Sequence, residues 1–460
     1  MIDYNQFNHF FFVGIAGTGM SAIAQYIRGV GKKVSGSDRL FSASEKMLIQ
    51  SQLEQQGIEC HPQDASGVDN TVDVLVVSTA IEESNVELQK ARSLGITVMK
   101  RSELLASISS LCPTIAVGGT SGKSTTTAMI FHILRECGGD PSIISGAGLV
   151  DLQEKGLPGN AWNGKGKWLV IEADESDGSI VNYHPAISVL LNVDRDHKEA
   201  DELMRLFSTF KANTTEKFIV NQSHSVAKQL SMNTQYDFGV ENEDARFSGS
   251  NFKQEGFSIS FDSNGLHYTL PLIGRHNMEN ALAAIAVSNA AGVSAEQCCE
   301  ALKSYRGIYR RTQVVGSAKG CWVIDDFAHN PSEVVAAIKA CQQVGKRVWA
   351  WFQPHGFGPL RFMHEELETD VQKCLRSDDC FLLSDVYYAG GTVSRDVTSD
   401  MVAKKMESNG ANVRFFADRN VMLPFLKTNV QSGDVILIMG ARDNSLTDFA
   451  KHIYNEVLTD

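Results

Sequence analysis

Seven residues, Gly118-Gly119-Thr120-Ser121-Gly122-Lys123-Ser124, constrain this chain most. They follow the apolar run Thr114-Ile115-Ala116-Val117 and lead into a threonine-rich stretch, so they join a buried strand to a helix. In that context successive backbone N–H groups can cradle anionic oxygens, a lysine can reach the β- and γ-phosphates, and a serine hydroxyl can ligate Mg²⁺. The common phosphate-loop pattern has glycine at position 117, where this chain has valine. The segment is therefore a shorter variant, with Gly119, Thr120, Ser121, Gly122, Lys123, Ser124 and Thr125 as its nucleotide-binding residues.

Two further apolar runs end in acidic clusters. Trp168-Leu169-Val170-Ile171 leads into Glu172-Ala173-Asp174-Glu175-Ser176-Asp177, and Ala186-Ile187-Ser188-Val189-Leu190-Leu191 leads to Asp194-Arg195-Asp196-His197. Carboxylates at the ends of parallel strands beside a phosphate loop are placed to hold Mg²⁺ directly or through water. Ser124, Glu172 and His197 form the expected metal set, although the acidic cluster also reads as a helix-starting turn and the histidine as a loop residue.

A second glycine loop, Gly14-Ile15-Ala16-Gly17-Thr18-Gly19, follows the apolar run Phe10-Phe11-Phe12-Val13 and opens a helix. Its backbone N–H groups and helix N-terminus suit a diphosphate. The strict dinucleotide fingerprint needs glycine at position 16, here alanine, and Asp38 follows Gly14 by 24 residues, where a ribose or base contact is usual. Alone, such a loop is also what a tight strand-to-helix turn requires.

Length and composition fit three α/β domains. The 460 residues, at roughly 150 per domain, divide into about 1–107, 108–312 and 313–460. The first is expected as a Rossmann-like parallel sheet, the second as a phosphate-loop ATPase-like α/β domain with an antiparallel appendage near Phe257–Phe261, and the third as another Rossmann-like domain. A net charge of −12 excludes a general affinity for nucleic acid or anionic membranes. Nine scattered cysteines without a CxxC pair, and a start lacking a basic signal region, point to a reducing cytoplasmic location.

In order along the whole chain, GIAGTGMSAIA, SGSD, VVSTAI, GGTSGKSTTTAMI, VIEADESDGS, LLNVDRDH, GRHNMENALAA, Tyr309-Arg310-Arg311, DDFAHNP, FQPHGF and SDVYYAGG resemble the Mur ligases, and most nearly their alanine-adding branch. The resemblance implies an ATP- and Mg²⁺-dependent amide ligase of peptidoglycan precursor synthesis that joins UDP-N-acetylmuramate to L-alanine, through an acyl phosphate, with release of ADP and phosphate. It implies UDP-substrate contacts at Gly14, Gly17, Thr18, Gly19, Asp38 and Ser78, adenine-side contacts at Asn277 and Asn280, and phosphate or ribose contacts at Arg310, Arg311 and Asp326. Lys123, Glu172, His197, Asp326 and His329 are the implied catalytic residues, His276 and His329 reading equally as structural turn histidines beside asparagine, and His355 and Arg361 are implied at the amine substrate.

Ser121, Asn330 and Gly356 depart from the alanine-adding pattern, which has histidine, histidine and arginine there. A short peptide is therefore the alternative amine substrate, as in the murein peptide-recycling ligases. Lys211, the nearest candidate for a modified metal-holding lysine, reads as a surface residue. A nicotinamide-dependent dehydrogenase or a non-catalytic nucleotide-binding regulator is the alternative from another class, and either leaves part of the phosphate-loop and carboxylate pattern without a use.

Overall fold

Short fully buried strands alternate with amphipathic helices along the chain, so the sheets are mostly parallel with crossover helices. The computed structural model describes residues 3–42, 46–194, 200–388, 394–443 and 445–459. They cluster into two compact units: unit one comprises Met1–Asn251, Phe261–Thr269 and Glu279–Ile308, and unit two comprises Phe252–Ser260, Leu270–Met278 and Tyr309–Asp460. The 1–107 segment and most of the 108–312 segment thus fall in unit one. Among the described residues no helix is long and apolar enough to cross a membrane.

The first sheet of unit one has the order Glu59–Pro62, Lys33–Asp38, His9–Val13, Val74–Val77, Thr97–Lys100, all parallel. Phe10, Phe11 and Phe12 are fully buried at its centre, each contributing about 1.5–3 kcal/mol on leaving water. The strand order reverses on either side of His9–Val13, which opens a crevice at that strand's carboxyl end, where Gly14 begins its loop.

The second sheet runs Lys217–Val220, Ile187–Leu190, Thr114–Gly118, Leu169–Glu172, Ser142–Ile144, Ala161–Trp162, parallel except for the last pair. Val117 pairs with Glu172 and Gly118 with Leu190, so the phosphate loop lies between the two strands whose ends carry the acidic clusters.

The alternating region is not an appendage of a parallel sheet, as its sequence suggested. Phe238–Val240, Phe247–Glu255, Ser258–Ser263 and Leu266–Leu270 form a separate four-stranded sheet whose first pair is parallel. Burial alternates residue by residue along Ser258–Ser263, as expected of strands with one face toward solvent.

In unit two the sheet order is Gln313–Ala318, Cys321–Asp326, Asp434–Gly440, Arg347–Gln353, Cys380–Ser384, Val413–Phe416, with only the first pair antiparallel. The helix Pro331–Gln342 starts with proline in its first turn and buries Val334, Ile338 and Cys341. At the start of this unit Arg310 and Thr312 adopt left-handed backbone, with φ of 58° and 46°. Thr312 is β-branched, so this conformation is strained. Its N–H is held by Asp326 Oδ2 at 2.6 Å.

Candidate active site

The first glycine loop is braced from the neighbouring strand. Gly14 and Ile15 donate their N–H groups to the Ser37 carbonyl at 2.8 and 2.9 Å. Asp38 is turned into the loop: Oδ2 accepts from Ala16 N–H at 3.0 Å and Oδ1 from Leu40 N–H at 3.1 Å. No side chain caps the helix Thr18–Gly29, whose N-cap is Gly17, so its end keeps the N–H character that favours an anion. Gly19 lies so close to Arg101 that a Cβ there would meet Nη1 at 2.8 Å. Arg101 in turn pairs with Asp177 at 3.3 Å. Nothing local in the sequence ties this guanidinium to a loop so far away along the chain. Ser78 directly follows the neighbouring strand Val74–Val77.

The second loop is assembled around Lys123 at the first turn of the helix Lys123–Glu136. Gly119 and Gly122 have φ of 141° and 82°, which let the chain fold tightly around the strand end. Asn192, just past the neighbouring strand, fixes the loop. Its Oδ1 accepts from Thr120 Oγ1 and Ser121 N–H, both at 2.8 Å, and its Nδ2 donates to the Ser121 carbonyl at 3.1 Å. Thr120 Oγ1 also accepts from Asp194 N–H at 3.0 Å.

Lys123 Nζ donates to the Gly119 carbonyl at 2.7 Å and meets Glu175 Oε2 at 3.0 Å. Burial disfavours its charge, but the carboxylates of Glu175, Asp174 and Glu172 outweigh that and hold its pKa above the ordinary lysine value. Glu172 is fixed at both oxygens. Oε1 accepts from Ser145 Oγ and Gly146 N–H, each at 2.7 Å, and Oε2 accepts from Ser124 Oγ at 3.1 Å.

A hydroxyl beside a carboxylate is a donor pair suited to Mg²⁺, which takes few protein ligands and fills its octahedron with phosphate oxygens and water. Among the described residues no group of three His, Cys, Asp or Glu is placed to hold a metal. His197, expected in this set, lies outside the described residues. Asn280 is buried beside the loop, accepting from Thr126 Oγ1 at 3.3 Å, and its Oδ1 would lie 2.5 Å from a Cβ at Gly122. Thr125 follows Ser124 in the first turn of the same helix.

Unit two brings a different set together. Asp326 ends its strand with Oδ2 bound to Thr312 N–H and Oδ1 to Ala328 N–H at 2.7 Å. Burial lifts its carboxyl to about 6 against the pull of Arg311 and those two N–H groups. His329 Nδ1 lies 3.1 Å from Glu333 Oε2, and its ring stands edge-on to His355 at 5.1 Å. Burial opposes the charge on His329, but Glu333 outweighs it and raises the imidazole pKa. Glu333 is not among the residues that the motifs mark. Its place three residues after Asn330, whose Oδ1 caps its N–H at 2.9 Å, was the available signal. That cap also gives Asn330 a structural use.

The paired arginines separate in role. Arg310 is consumed within the unit: Nε meets Asp325 Oδ1 at 3.1 Å and Nη2 donates to the Gly440 carbonyl at 2.8 Å. Arg311, with 28% of its side chain exposed, is near Glu333 at 3.9 Å and lies over the Phe327 ring. Asn277 is buried and donates Nδ2 to the Ile273 carbonyl at 2.8 Å. Burial pushes the His276 pKa down to about 4, which keeps this imidazole neutral at pH 7.

Arg361 pairs with Asp396 and donates to the Ser394 carbonyl at 2.9 Å. Next to it in the fold, Arg395 lies over the rings of Tyr388 and Phe357, at 4.5 and 5.4 Å from their centroids. Gly356 is the N-cap of the helix Phe357–Cys374. A cavity of about 330 Å³ lined by Gln353, Asp385, Tyr388, Arg419 and Asp443 opens at the carboxyl ends of this unit's parallel strands.

Three family models match in succession: "Mur ligase family, catalytic domain" over residues 9–111, "Mur ligase middle domain" over 117–288 and "Mur ligase, glutamate ligase domain" over 310–442. The UDP-N-acetylmuramate–L-alanine ligase of Pelotomaculum thermopropionicum is 34% identical, covering 95% of each chain. That of Acetivibrio thermocellus is 32% identical, covering 96% of this chain and 95% of its own. Among solved structures, the UDP-N-acetylmuramate–alanine ligase of Thermotoga maritima superposes with a TM-score of 0.79 at 25% identity, covering 97% of this chain and 98% of that one. A murein peptide ligase from Psychrobacter arcticus shares the fold at a TM-score of 0.68 and 21% identity, over 98% and 99% of the two chains. With the phosphate loop, its flanking carboxylates and the second glycine loop all falling inside matched segments, the chain belongs to the Mur ligase family.

Proposed function

We propose that the protein is an ATP-dependent ligase that joins the carboxylate of UDP-N-acetylmuramate to the amine of L-alanine, releasing ADP and phosphate. The observation that carries this reading is the Lys123–Glu175 and Ser124–Glu172 arrangement at adjoining strand ends, in a chain 34% identical to an L-alanine ligase over 95% of its length. The three segments 1–107, 108–312 and 313–460 are assigned to the UDP-linked substrate, to ATP and to the amine.

The Gly14–Gly19 loop and the uncapped helix end after it bind the diphosphate of the UDP substrate, with Arg101 as an added cation. Ser78 and Asp38 stand at neighbouring strand ends beside that crevice. On the second loop Gly119, Thr120, Ser121 and Gly122 cradle the ATP phosphates, and Lys123 exchanges part of its contact with Glu175 for the γ-phosphate. A muramate carboxylate oxygen attacks that phosphorus, the β–γ bridging bond breaks and ADP leaves. The amine nitrogen then attacks the acyl carbon, loses a proton, and phosphate departs with the former carboxylate oxygen. Ser124 and Glu172 would hold Mg²⁺, which when bound would supply charge neutralisation at the transferring phosphoryl group.

The amine substrate is assigned to the His329, His355, Tyr388 edge of unit two. There Arg395, which forms no ion pair among the described residues, is the cation available to a substrate carboxylate. A reducing cytoplasmic setting and independence from nucleic acid and membrane accord with the free cysteines and the acidic charge. With ATP and UDP-N-acetylmuramate supplied, L-alanine should stimulate ADP release and a murein tripeptide should not. Stimulation by the tripeptide alone overturns the assignment of alanine and moves the chain to the peptide-adding branch.

A further inference from the structure

A line of buried hydrogen bonds joins the two glycine loops within unit one. It starts at the first turn of the helix Thr18–Gly29, where Asn160 Nδ2 donates to the Thr18 carbonyl at 2.7 Å and to Ser21 Oγ at 2.9 Å. The backbone carbonyl of Asn160 accepts from Ser145 N–H at 2.9 Å. Ser145 Oγ donates to Glu172 Oε1 at 2.7 Å, and Glu172 Oε2 accepts from Ser124 Oγ at 3.1 Å on the helix that follows the second loop. Asn160 and Ser145 thus bridge the turn after one loop and the carboxylate beside the other.

The geometry leaves little freedom in this line. The Thr18 carbonyl can only accept, which turns the Asn160 amide nitrogen toward the helix, and Asn160 Oδ1 takes the N–H of Gln25 Nε2 at 2.8 Å. Ser145 Oγ accepts from Ala147 N–H at 3.2 Å, so its proton is left for the Glu172 carboxylate. Both residues are 2% exposed, in surroundings where hydrogen bonds are stronger than in water. Sheet pairing holds the backbone beside them: Ile144 faces Ala161 on one side and Ile171 on the other.

A buried asparagine needs partners, and any acceptor would satisfy it. The partners here are more specific. One is the turn that opens onto the diphosphate site, and the other is the residue that orients the carboxylate beside Ser124. Such a contiguous network of side chains and paired strands is the kind of path along which two sites are energetically coupled.

We propose that Asn160 and Ser145 are positioning residues that couple the two loops. A diphosphate seated at the first turn of Thr18–Gly29 fixes the Thr18 carbonyl against Asn160, and Ser145 then holds Glu172 in the orientation that, with Ser124, would receive Mg²⁺. This rests on the ligase reading of the two loops and adds that their ligands tighten one another, by the same factor in both directions because coupling free energy is reciprocal.

The test is calorimetric titration of the full chain with a non-hydrolysable ATP analogue and Mg²⁺, with and without saturating UDP-N-acetylglucosamine. This sugar nucleotide carries the diphosphate but no muramate carboxylate, so it has no group to meet the γ-phosphate or the metal. Wild type, N160A and S145A are compared, and thermal unfolding shows which of them fold. S145A keeps the backbone bond to Asn160 and the sheet pairing, so it serves even where N160A does not fold. In wild type the sugar nucleotide should tighten the analogue about fivefold or more, and in both variants that factor should fall to about one. A purely structural role would lower the melting temperature or weaken each ligand alone and leave the factor unchanged. A wild-type factor of one, or a factor that survives in either variant, overturns the proposal and leaves the ligase reading standing. Wild type that binds neither nucleotide overturns the ligase reading itself, and the proposal with it.

Discussion

Replacement of Lys123 by alanine should lower ADP release about 10³-fold, in line with the loss of a group aimed at charge that develops in the transition state. The same substitution should destabilise the folded chain. Glu175, with 5% of its side chain exposed, is left without the ammonium it now meets at 3.0 Å, and breaking a buried pair costs roughly 3–5 kcal/mol. The two effects are separable. K123A combined with E175Q removes the stranded charge, so most of the stability should return while activity stays lost. Urea unfolding together with an ADP-release assay checks both. K123A activity within tenfold of wild type contradicts the assigned role, and so does activity restored by the double substitution.

Arg310→Ala should be among the most destabilising substitutions in unit two, at about 3–5 kcal/mol. Its guanidinium is 6% exposed and faces Asp325, which is fully buried, while Nη2 and Nη1 bind the carbonyls of Gly440 and Asp443 at 2.8 and 3.4 Å. Without it, among the described residues, only Thr447 Oγ1, at 2.7 Å, remains among the side chains hydrogen-bonded to Asp325. Lysine should recover little, because one ammonium cannot serve acceptors that a planar fork reaches in several directions. The strained backbone at Arg310 and Thr312 adds to the cost once its anchor is gone. Chemical denaturation followed by tryptophan fluorescence measures this. An unchanged unfolding midpoint with a raised KM for ATP would instead return Arg310 to the phosphate contact that its sequence position implied.

The Arg310–Arg311 pair shows where sequence reading stops. The two residues are adjacent and chemically identical, and the one with left-handed backbone, Arg310, is the one turned inward. Features carried by a short stretch of chain were legible: both glycine loops at strand ends, the strands flanking the phosphate loop, and the helix starting at Pro331. Each needs only periodicity and turn chemistry.

Contacts closed by the fold were not legible. Asn192 braces Ser121 across 71 residues and Arg101 reaches Gly19 from another strand end. Lys123 finds Glu175 only because Leu169–Glu172 pairs with Thr114–Gly118. Glu333 could not be read as the partner of His329, since that pairing depends on the turn that Asn330 fixes. The alternation of Ser258–Ser263 revealed a one-sided strand, yet not that its sheet stands apart from the parallel ones.

The central claim is that Lys123, Ser124 and Glu172 direct phosphoryl transfer to a carboxylate before the amine attacks. It is tested most directly with UDP-N-acetylmuramate carrying ¹⁸O in its muramate carboxylate, turned over with ATP and L-alanine, and mass analysis of the phosphate released. Passage through an acyl phosphate places one carboxylate oxygen in every phosphate formed, so the account predicts one ¹⁸O atom per phosphate. Unlabelled phosphate accompanying amide formation would contradict it.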